Sequence, residues 1–189
     1  MPNWCYNNLT IRHADPAMLD RVVKAKEALL TEFFPCPAEL HDHDSPEKDA
    51  VRAAYFQEKY GATDWYDWQV SNWGTKWDFP LERVERTDPN TVECAFDSAW
   101  SPPITAYEKL CVMGFEITAH YYEPGMSFCG TWTGHYEGDE ETGDVFTDDQ
   151  YFELGEYNSD TVRDAVGVEL DEMFSISENM AEWEAQNEE

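Results

Sequence analysis

Positive charge is almost absent from the last third of this sequence. Residues 126–189 hold 19 acidic side chains and one basic one, Arg163, whereas residues 1–125 hold 21 acidic and 11 basic side chains. The net charge of -28 is therefore concentrated after residue 125. Such a surface repels phosphate groups and attracts basic proteins. We therefore expect no direct contact with nucleic acid or a membrane, and a basic protein as the partner.

Long apolar runs and paired cysteines are also missing. No stretch approaches the roughly 18 apolar residues of a membrane helix, and the N-terminus lacks the basic and apolar regions of a signal peptide. The five cysteines are odd in number and form no C-x-x-C pair, which favours reduced thiols. These features predict a soluble, cytosolic protein of unassigned oligomeric state.

Recognisable catalytic motifs are lacking as well. The five histidines are scattered, and G-x-S-x-G, Walker A and H-E-x-x-H do not occur. We therefore predict a protein that is not an enzyme and has no cofactor or metal. A metal-dependent enzyme stays as the weakest alternative. Its candidate ligands are His120, His135, Glu123 and Cys129, the loop His41-Asp42-His43-Asp44, and acidic residues between 139 and 149.

The residues that are present indicate a folded chain. Hydrophobic residues make up 42% of the sequence and aromatic residues 15%, whereas disordered chains have few aromatics. The alternation of apolar residues predicts strands at 4–11, 91–97 and from 115, and a strand at 82–87 that forms a hairpin with 91–97. The spacing predicts one helix that begins at Asp15-Pro16 and ends near residues 33–37, and another that begins at 101–103 and ends at Gly114.

An insertion at about 38–78 interrupts this pattern. It contains a predicted helix from about Pro46 to Lys59 and a second at 65–73, with Asp64 as N-cap and Gly74 as C-cap, followed by a strand at 75–79. The resulting order, β-α-(insertion)-β-β-α-β, is that of an α+β, ferredoxin-like sheet. We expect this domain to span residues 1–125.

The acidic residues 126–189 form the second predicted part, an extension packed on that domain. A hairpin of 128–136 with a strand from Val145 is expected to extend the sheet. Helices over Val162–Met173 and Ile176–Trp183 are expected to follow.

Four stretches resemble a known family: MPNWCYNNLTI at the start, YGATDWYDWQVSNWGTKWD at 60–78, FDSAWSPPI at 96–104 and YYEPGMSFCG at 121–130. They resemble the YubB-like proteins of plasmids and bacteriophages. The resemblance covers roughly residues 1–130 and leaves the acidic region unassigned. It implies a ferredoxin-like domain in a mobile-element setting, and it implies no catalytic residue.

Two binding hypotheses follow. The favoured one is a phage or plasmid accessory protein that inhibits a host nucleic-acid-binding protein, such as a restriction or CRISPR-type defence protein, through a DNA-mimicking acidic surface. Its candidate contacts are Glu137, Asp139, Glu140, Glu141, Asp144, Asp148, Asp149, Glu153 and Glu156. The alternative is a small-ligand or peptide pocket in the Trp-rich insertion, although packing is the more common role for tryptophan. Its candidate residues are Trp65, Trp68, Trp73 and Trp77.

Overall fold

A computed structural model describes residues 2–41, 49–138 and 143–187 of the chain. Its strands are β1 (Trp4–His13), β2 (Arg83–Asp88), β3 (Thr91–Ala99), β4 (Phe115–Glu123), β5 (Phe128–Glu137) and β6 (Asp144–Glu153). Its helices are α1 (Pro16–Lys24), α2 (Leu29–Phe33), α3 (Ala38–His41), α4 (Ala50–Tyr60), α5 (Trp65–Trp73), α6 (Ile104–Val112), α7 (Val162–Val166), α8 (Val168–Phe174) and α9 (Ile176–Asn187), with a 3₁₀ turn at Leu154–Glu156.

The described strands form one antiparallel sheet in the order β2-β3-β1-β4-β5-β6. The first four strands, with α1 after β1 and α6 after β3, have the split βαβ arrangement of ferredoxin-like folds. The prediction of this fold class is therefore confirmed. The predicted hairpin after residue 125 is also present, and β5 and β6 extend the sheet beyond β4.

One face of the sheet packs against α1 and α6. In β1 the side chains of Cys5, Leu9 and Ile11 are buried on this face, as the alternation along a strand requires. The same core cluster includes Tyr107 of α6 and Trp132 of β5, whose ring centroids are 5.5 Å apart. Residues on both sides of position 125 thus share one core.

The opposite face of β4 and β5 carries a second apolar cluster. Tyr122 and Cys129 are paired across the two strands and point away from the first core, since their neighbours Tyr121 and Gly130 occupy the other face. Helices α7 to α9 cover this cluster with Val162, Leu170 and Ile176, among other buried side chains. The C-terminal helices therefore form a third layer over part of the sheet.

The predicted single helix from Asp15 to residues 33–37 is wrong, because two helices occupy this segment. Asp15 caps α1 as expected, by accepting the N–H of Ala17, but α1 ends at Lys24 and α2 begins at Leu29. The carboxylate of Asp78 accepts the N–H groups of Leu30 (3.0 Å) and Thr31 (2.7 Å). A distant side chain thus stabilises a second helix start, which local spacing does not reveal.

The predicted strand at 75–79 is also wrong, because this segment is irregular. The Thr75 hydroxyl donates to the carbonyl oxygen of Ala99 (3.1 Å), and the ring of Phe79 stacks on Phe96 at 3.8 Å. The segment crosses the end of the sheet instead of pairing with a strand, and its alternation reflects these side-chain contacts.

The predicted helix over Val162–Met173 is likewise divided. Gly167, with φ of 89°, separates α7 from α8. This backbone conformation is open to glycine and costly for other residues. Within the described ranges, no helix combines the length and apolar character needed to cross a bilayer.

Candidate interaction surface at one end of the sheet

Several loops meet where β1 begins and β3 ends. The register pairs Trp4 with Ala99, so the N-terminus and the β3–α6 loop lie side by side. The segment after α5 crosses the same end, and the β4–β5 turn at 124–127 borders it. All four stretches that carry the family resemblance therefore reach this end of the sheet.

Four large aromatic side chains are exposed here. The exposed fractions are 44% for Trp4, 41% for Tyr66, 37% for Trp77 and 40% for Trp100. Their ring centroids form a continuous series, with Trp4 6.3 Å from Trp77, Trp77 6.5 Å from Trp100, and Trp100 6.5 Å from Tyr66. We call the surface formed by these four residues the aromatic end.

Hydrogen bonds to backbone carbonyl oxygens hold the aromatic end in place. The N–H of Trp100 donates to the carbonyl oxygen of Asn3 (2.9 Å), and the Ser101 hydroxyl donates to the carbonyl oxygen of Gly74 (3.2 Å). Gly74 ends α5 in a left-handed conformation, as predicted, and a Cβ there would lie 3.2 Å from the Thr105 nitrogen. The loops that carry Trp77 and Trp100 are thus fixed to the sheet and to α6.

Trp100 has an unusual backbone conformation, with φ of 70°. A bulky residue rarely adopts a positive φ, which costs about 1–3 kcal/mol. Such strain persists only when surrounding contacts stabilise it, and it concentrates at functional sites. Here the strained residue carries an indole ring that is 40% exposed, so only part of the free energy of full burial offsets the strain.

The Lys76 ammonium lies over three of these rings. Its Nζ atom is 4.5 Å from the ring centroid of Trp77, 5.4 Å from that of Trp100 and 5.5 Å from that of Tyr66. Each distance is within the range of a cation–π interaction. The aromatic end therefore presents ring faces that attract positive charge.

A cleft of about 820 Å³ continues the surface beyond Trp100. It is lined by Met126, Phe128 and Tyr151, among others, and by the carboxylates of Glu153 and Glu156. Met126 is 70% exposed. The cleft places two acidic side chains beside a mainly apolar surface.

Buried Glu123 shapes the turn that borders this cleft. Its carboxylate accepts the N–H of Gly125 (3.0 Å) and the N–H of Met126. A Cβ at Gly125 would lie 2.6 Å from the side-chain nitrogen of Asn3, so a larger residue there would displace that side chain. A buried carboxylate is thus satisfied by the turn and positions Met126 at the surface.

The structure distributes the predicted acidic contacts over several places. Glu153 and Glu156 line the cleft, whereas Asp149 accepts the Tyr121 hydroxyl (3.2 Å) on the face that packs against α1 and α6. Asp148 points to the opposite face, because it is the neighbour of Asp149 along β6.

The remaining acidic candidates lie elsewhere. Glu137 and Asp144 are paired at the far end of the β5–β6 hairpin, and Asp139, Glu140 and Glu141 lie outside the described residues. Because β6 is an edge strand of the described sheet, its carboxylates also discourage edge-to-edge association.

The four tryptophans of the predicted pocket do not converge on one site. Trp73 is buried, and its indole N–H donates to the carbonyl oxygen of Phe34 (2.9 Å). Trp68 packs edge-on against Trp73 at 5.9 Å, and Trp65 stacks with His41. Of the four, Trp77 alone belongs to the aromatic end.

Sequence reasoning missed Trp4, Tyr66, Trp100 and Met126 as surface residues. All four lie in the stretches that carry the family resemblance, which is the signal that groups them. Their separation along the chain gives no indication that they meet, since the contacts depend on how a strand, a helix, a loop and a turn come together at the sheet end.

The candidate metal ligands are likewise dispersed. His120 of β4 is paired with Thr131 of β5, and His135 lies four residues further along β5 than Thr131. Glu123 and His120 point to opposite faces of β4. Residues 42–44 of the His41–Asp44 loop lie outside the described residues. In residues 2–41, 49–138 and 143–187, no group of three or more His, Cys, Asp or Glu side chains could hold a metal ion.

The cysteines have the properties of packing residues. All five are free, and Cys5, Cys94, Cys111 and Cys129 are buried. Burial raises the pKa of Cys94 to about 12 and that of partly buried Cys36 to about 11. These thiols are therefore protonated near neutral pH and are poor nucleophiles.

A second cavity, of about 550 Å³, lies between α9 and the sheet. Its lining includes the rings of Tyr6, Tyr122, Tyr157 and Trp183 and the side chain of Met180. Trp183 is 67% exposed. This aromatic cavity is separate from the predicted Trp-rich pocket and is a second place where a small ligand could bind.

Comparisons with known proteins concern the fold. A family model described as "Ferredoxin-like domain in Api92-like protein" matches residues 72–169. The match extends through β6 and α7, so the acidic β5–β6 hairpin, which the resemblance left unassigned, lies within the matched region. The crystal structure of a protein api92 from Yersinia pseudotuberculosis is similar at 14% sequence identity, with a TM-score of 0.44, and covers 74% of this chain and 99% of that chain. A search of curated proteins gave no match.

Proposed function

We propose that this chain, which belongs to the Api92-like protein family with a ferredoxin-like domain, is a non-enzymatic binding protein that engages a basic protein through its aromatic end. The observation that carries the proposal is the continuous exposure of Trp4, Tyr66, Trp77 and Trp100. Clustered exposed rings are typical of interaction sites, whereas isolated exposed apolar residues are common on any protein.

Packing alone does not account for these rings. The core already contains large aromatic side chains, including Trp73, Phe96 and Tyr107, which are almost completely buried. The four rings of the aromatic end leave over a third of their surface in water, and Trp100 adopts a strained backbone conformation to do so. Rigid, partly exposed indole rings supply contact area with little loss of entropy on binding.

Charge supports a basic partner. The chain has a net charge of -28, and Glu153 and Glu156 border the cleft beside Trp100. Carboxylates at the rim of an apolar contact area would steer a basic surface toward the rings and reject acidic proteins. The aromatic end would supply the anchor, and the acidic rim the selectivity.

The biological setting extends this proposal. In line with the resemblance to YubB-like proteins, we place the chain in a phage or plasmid and its action in the bacterial cytosol. Its partner would be a host nucleic-acid-binding protein, such as a restriction or CRISPR-type defence protein, because such proteins carry basic surfaces. The acidic residues of β6 would then occupy part of the surface that normally contacts DNA.

Affinity capture from a bacterial lysate, followed by mass spectrometry, tests the proposal. The key variant is Trp100→Gly, which removes the ring while glycine readily adopts a positive φ. We expect it to fold by circular dichroism and to lose at least 90% of the captured basic protein, an estimate consistent with a hot-spot loss of about 2 kcal/mol. Glu153→Gln combined with Glu156→Gln should weaken capture mainly at low salt.

Trp183→Ala is the matched control, because it removes an exposed indole outside the aromatic end. Full capture by this variant, with loss in Trp100→Gly, supports the proposal. The reverse result would move the binding site to the cavity under α9. Equal capture by all variants, or capture of acidic proteins only, would contradict a basic partner at the aromatic end.

A further inference from the structure

The cation at the aromatic end belongs to the chain itself. Lys76 directs its ammonium toward Tyr66, Trp77 and Trp100, and none of the ion pairs in the described part of the chain involves it. Lys59, by comparison, pairs with Glu39 at 3.0 Å. A lysine in a strongly acidic protein thus contacts three aromatic rings instead of a carboxylate.

The arrangement of the rings explains this position. The planes of Trp77 and Trp100 differ by 26°, and Tyr66 meets Trp100 at 85°. The Nζ distances to Trp77 and Trp100 are 4.5 and 5.4 Å, and those ring centroids are 6.5 Å apart, so the ammonium does not lie on the line between them. Each of the three rings leaves over a third of its surface in water, so a cation from outside could also reach them.

We infer that Tyr66, Trp77 and Trp100 form a cage for a lysine ammonium of the protein partner, and that Lys76 occupies this cage in the free protein. The inference rests on the proposed function, since it names the chemical group that the aromatic end receives. Lys76 acts as a tethered competitor that leaves when the partner's lysine enters. Indole faces are the strongest natural cation–π acceptors.

A competitor role and a purely structural role of Lys76 predict opposite effects of Lys76→Met on ammonium binding. If Lys76 only stabilised the loop, Lys76→Met would weaken both the fold and any binding at the rings. If Lys76 competes, the same variant vacates the cage, and the affinity for an external ammonium rises. The methionine side chain is of similar length and uncharged.

The test uses full-length protein and Nα-acetyl-lysine methylamide as the probe. Binding is followed by NMR through the indole N–H signals of Trp77 and Trp100, at constant ionic strength. The Nε-acetylated probe, which lacks the positive charge, is the ligand control. Lys26→Met is the matched protein control, because it removes the same charge from an exposed lysine beside Glu27.

We expect Lys76→Met to bind the charged probe about two- to fivefold more tightly than the natural protein, the range for release of one exposed cation–π contact. Lys26→Met should not change the affinity, and Trp100→Gly should lose binding. The gain should persist in about 0.5 M salt, where long-range charge effects are screened. Equal binding of both probes, or no gain in Lys76→Met, would overturn the inference.

The capture experiment separates this inference from the proposed function. If a basic protein depends on Trp100 but the charged probe does not bind, the cage is refuted and the proposed function stands. If the probe binds as expected but no captured protein depends on Trp100, the proposed function fails.

Discussion

The two ends of the sheet are both held by hydrogen bonds to backbone carbonyl oxygens, but they differ in the placement of their aromatic side chains. At the far end, where β1 ends and β3 begins, Asn90 donates to the carbonyl oxygens of His13 and Ala14, and the ring of His13 packs on Phe115 at 4.7 Å. At the aromatic end, comparable hydrogen bonds hold the loops, yet four aromatic rings remain exposed. Closing a sheet end therefore does not require exposed indole rings, so those rings call for a functional explanation.

The largest expected effect contrasts a core tryptophan with one at the aromatic end. Trp73→Ala should lower the free energy of unfolding by about 3–5 kcal/mol, because it leaves a cavity and an unsatisfied carbonyl at Phe34. Trp4→Ala should lower it by less than about 1 kcal/mol. Urea denaturation followed by circular dichroism measures both values. Similar losses for the two variants would mean that the aromatic end is part of the core.

A smaller effect is expected at the far end. Asn90→Ala removes hydrogen bonds of 2.8 and 3.0 Å to the two carbonyl oxygens and should lower the free energy of unfolding by about 1 kcal/mol. Partner capture should be unchanged, in contrast to Trp100→Gly. Loss of capture in Asn90→Ala would show that the two ends are not independent.

The smallest effect concerns His120, which lies between the two ends. Burial lowers the pKa of this imidazole in the folded protein. Below its ordinary pKa the unfolded chain binds more protons than the folded protein, so stability falls as the pH decreases through the region near 6.5. His120→Gln should therefore lose less stability than the natural protein between pH 7.5 and 5.5, as measured by thermal unfolding. An unchanged or steeper loss would contradict a lowered pKa.

The comparison of the ends also shows what could be predicted from sequence. Helix α5 was predicted with its correct bounds, because Asp64 and Gly74 are local signals for its start and end. The break between α1 and α2 was not predicted, because it depends on the Asp78 carboxylate, which is distant in sequence. The strand at 75–79 failed for a similar reason, since side-chain contacts with Ala99 and Phe96 replace strand pairing.

The candidate site was also predictable only in part, because some of its properties depend on tertiary contacts. Tryptophan-rich composition and acidic charge were visible in the sequence and suggested a binding protein. Which tryptophans are exposed was not, because Trp73 and Trp77 are four residues apart and yet one is in the core and the other at the surface. Likewise, Asp148 and Asp149 are adjacent but point to opposite faces of β6.

The sequence by itself determined the fold class, the order of the main strands and helices and the sign of the electrostatic field, because alternation, capping residues and charge are properties of short segments. The tertiary structure decided where the exposed aromatic rings meet, because Trp4, Tyr66, Trp77 and Trp100 come from separate segments that only the crossing of loops over the sheet end brings together. It also placed Lys76 among them, and a cation–π contact of this kind depends on a geometry that spacing along the chain does not encode.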